Sequence, residues 1–257
     1  MTANMIKTAI RRLLRWEGYH VYAANQLPIG FNWMLDVERL AEPDPIKTIF
    51  DVGANVGQTA ILLSRRFPQA KIYSFEPLSA TFHKLQQNTA ALENVTCENC
   101  ALGSESKMID LHPKNSSARN SLLTELNRPS TGVPPERIQI HTADEMLRSK
   151  RIDHLNLLKT DTEGFDLEVI TGGKFALREA QIDMIVAEVG FHPERRHHTY
   201  LPDVQSYLLR HAYELYCIYD QNHYAGRIDY ADALFVSPKI QQLCNRVYAE
   251  TFVRHAE

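Results

Sequence analysis

The chain has few cysteines, no long apolar run and almost no net charge, and each shortage removes a class of protein. Its four cysteines among 257 residues are too sparse for a disulfide framework. Cys97 and Cys100 form a C-x-x-C, but no second pair and no histidine pair of finger spacing accompanies them. A redox pair would open a helix, whereas "NVTCENCALG" reads as the end of a strand. Ordinary reduced thiols remain, as expected in a cytoplasm. No stretch approaches the roughly 20 apolar residues needed to span a bilayer. The segment "MIKTAIRRLLRWEG" is basic but lacks the continuous apolar block of a secretory signal. A formal charge of −3 leaves no basic footprint for nucleic acid. Internal repeats and low-complexity tracts are missing as well, which excludes solenoids and arrays.

What is there is a composition of 44% hydrophobic and 23% charged residues, that of a globular chain able to bury its own core. Residues 1–45 read as a helical lead-in that ends in the proline-rich joint "AEPDPIK". Within it Ile6, Ile10, Leu13 and Leu14 repeat at helical spacing opposite Lys7, Arg11, Arg12 and Arg15. Such a helix suits a membrane surface or a homo-oligomer contact, but its commonest fate is to pack on its own domain. From 46 to 257 short β-rich runs alternate with helical patterns. "KTIFDV" precedes a helix through Ile61 and Leu62, and "KIYSFE" precedes one from Ser79 through Phe82 and Leu85. This rhythm predicts βαβ units and a parallel sheet.

A central β insertion near 104–145 interrupts it. "KMIDLHP" and "RIQIHTADEML" are strand-like and flank a polar stretch, 114–136, expected to form a hairpin or flap at the edge of a site. The rhythm returns with "HLNLLKTD", a helix ending near "TGG", and "DMIVAEVG", where Leu158 and Ile185 sit in the apolar runs of central parallel strands. After a helix through Val204, Tyr207 and Leu208, "ELYCIYD" and "DALFVSP" follow with no helix between them, so an antiparallel hairpin should close the sheet. The fold class is α/β, doubly wound and mostly parallel.

In such folds a ligand lies beyond the C-terminal strand ends, where strand order reverses. "IFDVGANVGQTA", residues 49–60, supplies the first of those ends. Its glycines, Gly53 and Gly57, are spaced G-x-x-x-G, without the third glycine that a dinucleotide pyrophosphate wants. Glycine there lets the backbone turn tightly and approach a ligand. Asp51, just before the first glycine, repels phosphate and suits an ammonium or sulfonium. Glu76 ends the second strand in "YSFEP", about twenty residues further on, where an acid accepts hydrogen bonds from both ribose hydroxyls. A nucleoside joined to an amino acid without phosphate satisfies both acids, and S-adenosyl-L-methionine is that molecule. A tight turn with no ligand and a solvated strand end are the plainer alternatives for these residues.

"FDVGANVGQTA", "YSFEP", "NCALG", "LLKTDTEGFDLEVITGG" and "IVAEV" occur in the order seen in FkbM-type methyltransferases, which the chain resembles over roughly residues 47–236. The resemblance implies a Rossmann-like class I methyltransferase fold, a seven-stranded mostly parallel sheet with an antiparallel last strand. It also implies methyl transfer to a hydroxyl of a sugar, glycan or natural product. By position, Asp51, Gly53, Ala54, Asn55 and Gly57 would contact the methionine end of the cofactor. Glu76 would hold the ribose, with Pro77 shaping its surroundings, and Asn99 and Ala101 would lie near the adenine. The chain departs from the pattern at Thr162, where an apolar residue is commoner, and at Asp166, where glutamate is.

Methyl transfer asks the protein to align acceptor oxygen, methyl and sulfur and to exclude water. An aliphatic hydroxyl also wants a base or a metal. "LLKTDTEGFD" delivers Lys159, Asp161 and Glu163 to the ligand edge, and strand alternation puts both acids on one side if the strand runs that far. Asp161 is the leading catalytic or acceptor-orienting carboxylate, with helix N-capping as its alternative. Glu163 is the second, against the plainer role of a first-turn acid at a helix N-terminus. Two carboxylates so placed also suit Mg²⁺. Glu188 completes an acidic lining or anchors a loop. His192 in "VGFHPERRHH" is the candidate base, because imidazole titrates near neutrality, against a merely solvated histidine. Arg195, Arg196, His197 and His198 recognise an anionic acceptor or form a charged surface loop. Ser116, Ser117 and Arg119 belong to an acceptor lid or a polar turn. Two rival functions stay open: a nicotinamide-dependent oxidoreductase on the same general fold, and a non-catalytic cofactor-binding scaffold, which would have no need of buried unpaired carboxylates.

Overall fold

A computed structural model describes residues 10, 12–19, 22, 27–42, 44–114, 121–123, 126–128 and 132–245. Helix α1 (Trp33–Ala41) leads into β1 (Thr48–Val52), α2 (Gln58–Arg66), β2 (Lys71–Phe75), α3 (Ser79–Thr89) and β3 (Val95–Glu98). Then come β4 (Ala101–Leu102), β5 (Lys107–Leu111), β6 (Glu136–His141) and α4 (Ala143–Ser149). The second half runs β7 (Leu155–Thr160), α5 (Asp166–Thr171), α6 (Lys174–Arg178), β8 (Ile182–Gly190), β9 (Thr199–Tyr200), α7 (Leu201–Leu209), β10 (Glu214–Tyr224) and β11 (Arg227–Val236).

The main sheet is ordered β10-β11-β8-β7-β1-β2-β3, and the two-residue strand β9 joins it beside β8 as an eighth member. All pairings are parallel except those of β11, which runs against both β8 and β10. The seven strands along this path with an antiparallel last strand match the sequence expectation, and β9 is an addition to it. Strand order reverses beside β1, whose neighbours β2 and β7 belong to the two halves of the chain. A crevice therefore opens at the C-terminal ends of β1 and β7.

Both faces of the sheet are buried, as parallel strands require. Phe50, Tyr73, Phe75, Leu158 and Ile185 pack one face against Val169, Ile170, Val204 and Leu208 of the later helices. Their neighbours Ile49, Ile72, Leu157, Met184 and Val186 pack the other against Leu63 and Phe67. Trp33, Val37 and Leu40 of α1 join this second layer, so that helix of the lead-in shares the sheet's core. Residues 12–16 are also helical, but Ile10 and Leu13 are exposed, so the expected packing of that apolar row on its own domain is not what these two side chains do. Ile6, Lys7 and Arg11 lie outside the described residues, as do Ser116, Ser117 and Arg119.

The insertion forms a separate three-stranded sheet, β4-β6-β5, in which β6 runs against β5 and along β4. Leu111, Ile138 and Ile140 pack there with Leu78 and Ala101, which seats this small sheet on the C-terminal edge of β2. Thr142 then starts α4 with a capping box, its hydroxyl accepting from the Glu145 amide at 3.1 Å. One detail departs from the sequence expectation: β7 stops at Thr160. Asp161 and Glu163 do not reach the crevice by strand alternation. A turn carries them there, with Glu163 and Gly164 both left-handed, at φ +53° and +92°.

Candidate active site

The crevice holds a cavity of about 910 Å³, within the range of cofactor and substrate sites. Its first half is built on β1 and β2. The Gly53 and Ala54 amides both donate to the Phe75 carbonyl, at 3.1 and 3.0 Å, which folds the loop after β1 over the end of β2. Gly53, Ala54 and Asn55 line the cavity. Gly57 does not; at φ +97° it starts α2 and leaves room for Leu85 and Thr89. Gly53, at φ +79°, leaves room for the backbone carbonyl of Asp161. Packing within the protein thus calls for a glycine at both positions, and Gly53 also lies in the cavity lining.

Glu76 lies at the mouth of β2, buried, with Pro77 and Leu78 beside it in the wall. Its Oε2 accepts from the Asn55 amide at 3.2 Å and its Oε1 from the Leu78 amide at 3.0 Å. Burial pushes its pKa up to about 7 against the pull of these two bonds. Each oxygen keeps a further lone pair for a donor in the cavity. Asn55, left-handed at φ +50°, contributes a buried side-chain oxygen with no partner among the described residues. Ala101 and Leu102 line the wall next to them. Asn99 is outside the lining; its amide nitrogen donates to the Glu76 and Pro77 carbonyls at 3.0 Å each and fixes their backbone.

Asp51 is also outside the lining. It is buried and accepts from the Ser74 hydroxyl at 3.2 Å, because alternation puts its side chain on the same face of the sheet as those of its in-register neighbours Ser74 on β2 and Lys159 on β7. Burial raises its pKa to about 6, with Lys159 opposing. Lys159 is itself buried, 2.8 Å from Asp161. Burial alone would lower the ammonium's pKa, but Asp161, Asp232 and Asp51 hold it above its ordinary value. One lysine thus faces three carboxylates, Asp51 and Asp232 outside the cavity lining and Asp161 within it.

Asp161, Thr162, Glu163, Glu188, His197, His198 and Tyr230 form the second half, and Leu111 and Leu122 of the insertion close it. Asp161 does not cap a helix, since α5 begins at Asp166 after Phe165; its carboxylate is half exposed into the cavity and paired with Lys159. Glu163 is driven up to about 8 by burial, then by Glu188 and Asp161, with His198 opposing. Asp166, fully buried, accepts from the Thr162 amide at 3.2 Å and the Thr199 hydroxyl at 3.1 Å, which ties the acidic turn to β9.

His192, the histidine favoured from sequence, is not part of the cavity. It donates from Nε2 to the Ile228 carbonyl at 3.1 Å, which occupies the ring in holding its loop to β11. His198 takes the place in the wall instead, with Nδ1 2.9 Å from Glu188. Only the pairing of β9 with β8 brings these two together, and a two-residue strand leaves no periodicity to read. Arg195 pairs with Asp229 at 2.5 Å and lies over Tyr224, away from the lining. Among the described residues no group of three or more histidine, cysteine, aspartate or glutamate side chains is arranged to hold a metal ion.

Comparison with known proteins adds a family and relatives. The Methyltransferase FkbM domain model matches residues 51–215. The methyltransferase sdnD of Sordaria araneosa is 29% identical over 153 residues, covering 48% of this chain and 59% of that protein. The hexuronic acid methyltransferase AglP of Haloferax volcanii is 29% identical over 164 residues, covering 62% and 64%. The 2-O-methyltransferase NoeI of Sinorhizobium fredii is 24% identical over 157 residues, covering 56% and 64%. The chain spans less than two thirds of the length of each of these relatives.

Proposed function

Because the chain belongs to the FkbM methyltransferase family, we propose that it transfers a methyl group from S-adenosyl-L-methionine to a hydroxyl of a sugar, glycan or other small natural product. The observation that carries this assignment is Glu76, a buried carboxylate whose oxygens are each oriented by one backbone amide and open on the cavity. That geometry suits a vicinal diol such as a ribose. Gln58 and Thr59 place the N-terminus of α2 in the wall, a seat for a ligand carboxylate. The acids around Lys159 favour a positive charge above the floor. Together these groups fit a zwitterionic, cationic nucleoside and disfavour a pyrophosphate. No nicotinamide role is supported, since family and charge both oppose it.

When bound, the cofactor supplies an electrophilic methyl group attached to a sulfonium. Gly53, Ala54 and Asn55 would border its amino-acid portion, Glu76 its ribose, and Pro77, Ala101 and Leu102 the space for the base. Asp161 would orient the acceptor, with Lys159 fixing its carboxylate. Leu111 and Leu122 would keep water out. Two relatives named for hexuronic acid and 2-O-methylation support a sugar hydroxyl as acceptor. The four cysteines, all free, support a reducing cytoplasm as the setting.

Calorimetric titration with S-adenosylhomocysteine, with NAD as control, tests the cofactor assignment. Binding of the first and not the second is expected, with at least about a tenfold loss in Glu76→Ala, the scale of a lost charged hydrogen bond. Failure of the wild-type protein to bind S-adenosylhomocysteine would end it. Tritiated methyl donor with a panel of methyl glycosides then identifies the acceptor.

A further inference from the structure

We infer that His198, oriented by Glu188 and Tyr230, is the general base that accepts the hydroxyl proton during methyl transfer. This rests on the O-methyltransferase assignment of the cavity, and its test separates the two.

Three elements build the arrangement. Strand β8 supplies Glu188, and β9 pairs with it through Val189–Thr199 and Gly190–Tyr200, so the residue before Thr199 falls beside Glu188. Gly190 makes the approach possible: a Cβ there would lie 3.0 Å from that of His198. Strand β11 brings Tyr230 opposite Gly190, where its ring stacks on the imidazole with centroids 4.1 Å apart and planes 15° from parallel. The ring therefore has its plane fixed by one neighbour and its Nδ1 fixed by another, the Glu188 carboxylate at 2.9 Å. A carboxylate on Nδ1 keeps the proton there and leaves the lone pair on Nε2, the arrangement of a base held by an orienting acid. Nε2 has no protein partner among the described residues, and both side chains lie in the cavity wall while only 16% exposed.

A purely structural ion pair pinning β9 to β8 would explain the Glu188 contact alone. It does not explain why the pair lines the cavity, or why an aromatic ring clamps the imidazole plane. Glu163 from the turn after β7 and Asp229 from β11 also face the imidazole, and Asp161 lies beyond Glu163. Burial lowers the imidazole pKa, but these acids, Glu188 first, raise it overall and so favour the proton's arrival. In the step itself the acceptor oxygen bonds to the methyl carbon as the carbon–sulfur bond breaks. The electron pair stays on sulfur, and the hydroxyl proton ends on His198 Nε2 and leaves later to solvent. His198 is the catalytic residue here; Glu188 and Tyr230 are positioning residues.

The test combines His198→Asn, Glu188→Gln and Glu163→Gln with three readouts. Wild type and all variants should bind S-adenosylhomocysteine within about threefold of one another. With whichever methyl glycoside accepts tritiated methyl, His198→Asn should lose about 10²–10⁴ in kcat, the range of general-base catalysis. The acidic limb of the pH–rate profile should move to lower pH in Glu188→Gln and persist in Glu163→Gln. Nitrogen-15 NMR of the His198 ring should show the Nδ1–H tautomer, and a pKa that falls in Glu188→Gln; this arm decides even if no glycoside of the panel reacts. Near-wild-type kcat in His198→Asn, a limb that disappears with Glu163, an Nε2–H tautomer, or loss of S-adenosylhomocysteine binding in the variants alone would each overturn the base assignment. Loss of binding in the wild type would overturn the cofactor assignment instead.

Discussion

At Gly53 the chain turns with φ +79°, and the Asp161 carbonyl occupies the place a side chain would take. Gly53→Ala combines a left-handed alanine with a backbone collision, so it should destabilise the fold by about 2–4 kcal/mol in urea denaturation. A loss below about 0.5 kcal/mol would mean that the β1 and β7 ends separate easily, contrary to this packing. The sequence shows that a glycine is needed here but not why, since the colliding atom belongs to a residue more than a hundred positions away. The position of Glu76 in the cavity wall is legible because strand end and distance from the glycine loop are both local properties. The position of Asp51 before the glycine is visible in the sequence, but its neighbours are not, since only the register of β1 with β2 and β7 puts Ser74 and Lys159 beside it on one face of the sheet. His192 and His198 are six positions apart in one polar loop, and nothing local distinguishes the ring that holds Ile228 from the ring that holds Glu188.

Elements were more legible than residues, because their signals are periodic. Alternation of β and helical patterns led to the parallel sheet, and the missing helix after "ELYCIYD" led to the β10–β11 hairpin, closed by left-handed Ala225 and Gly226. Periodicity fails where an element is short or ends early, as at β9 and at Thr160. It also leaves the docking of α1 unread. That helix is fastened by Asp36, which is buried and accepts from the Gly30 amide at 2.7 Å, Arg39 at 2.9 Å and the Tyr219 hydroxyl of β10 at 2.9 Å. Tyr219→Phe removes one donor from a buried carboxylate and should cost about 1–3 kcal/mol in the same denaturation assay. Affinity for S-adenosylhomocysteine should not change, because α1 packs on a face of the sheet and contributes nothing to the cavity. A matching loss of affinity would show that α1 and the cavity are coupled.

Across the whole molecule, carboxylates held above their ordinary pKa gather at one end. Asp51, Asp166 and Asp232 are raised to about 6, Glu76 to about 7 and Glu163 to about 8, burial being the largest cause for each. Asp51 and Glu76 lie at the ends of β1 and β2, Glu163 and Asp166 in the turn and first helical residue after β7, and Asp232 within β11 opposite Glu188 near the end of β8. At the opposite end Asp183 is lowered: burial would raise it, but His154, Lys239 and Asn156 outweigh that. The sign of the pH effect follows for each end. A carboxylate raised in the folded state contributes stability that is complete below its unfolded pKa, near 4, and is lost as pH rises through the folded value. Five such groups remove stability between about pH 4 and pH 8. Asp183 works the other way, giving stability that is present above about pH 4 and lost in acid. Between pH 6 and pH 9 the fall comes mainly from Glu76 and Glu163, because the three aspartates have lost most of their contribution by pH 6 and Asp183 is already ionised throughout. The melting temperature of the ligand-free protein should therefore fall by several degrees across that interval. A ligand carrying positive charge into the cavity meets the same carboxylates once they are ionised, so it should recover more at the alkaline end. Thermal melts at matched concentrations should show S-adenosyl-L-methionine raising the melting temperature more at pH 8.5 than at pH 6. S-adenosylhomocysteine, which lacks the sulfonium, should show a smaller difference. A melting temperature that rises from pH 6 to pH 9, or a stabilisation by the cationic ligand that shrinks, would mean that the acids are already neutralised from within the protein and that the cavity does not select for charge.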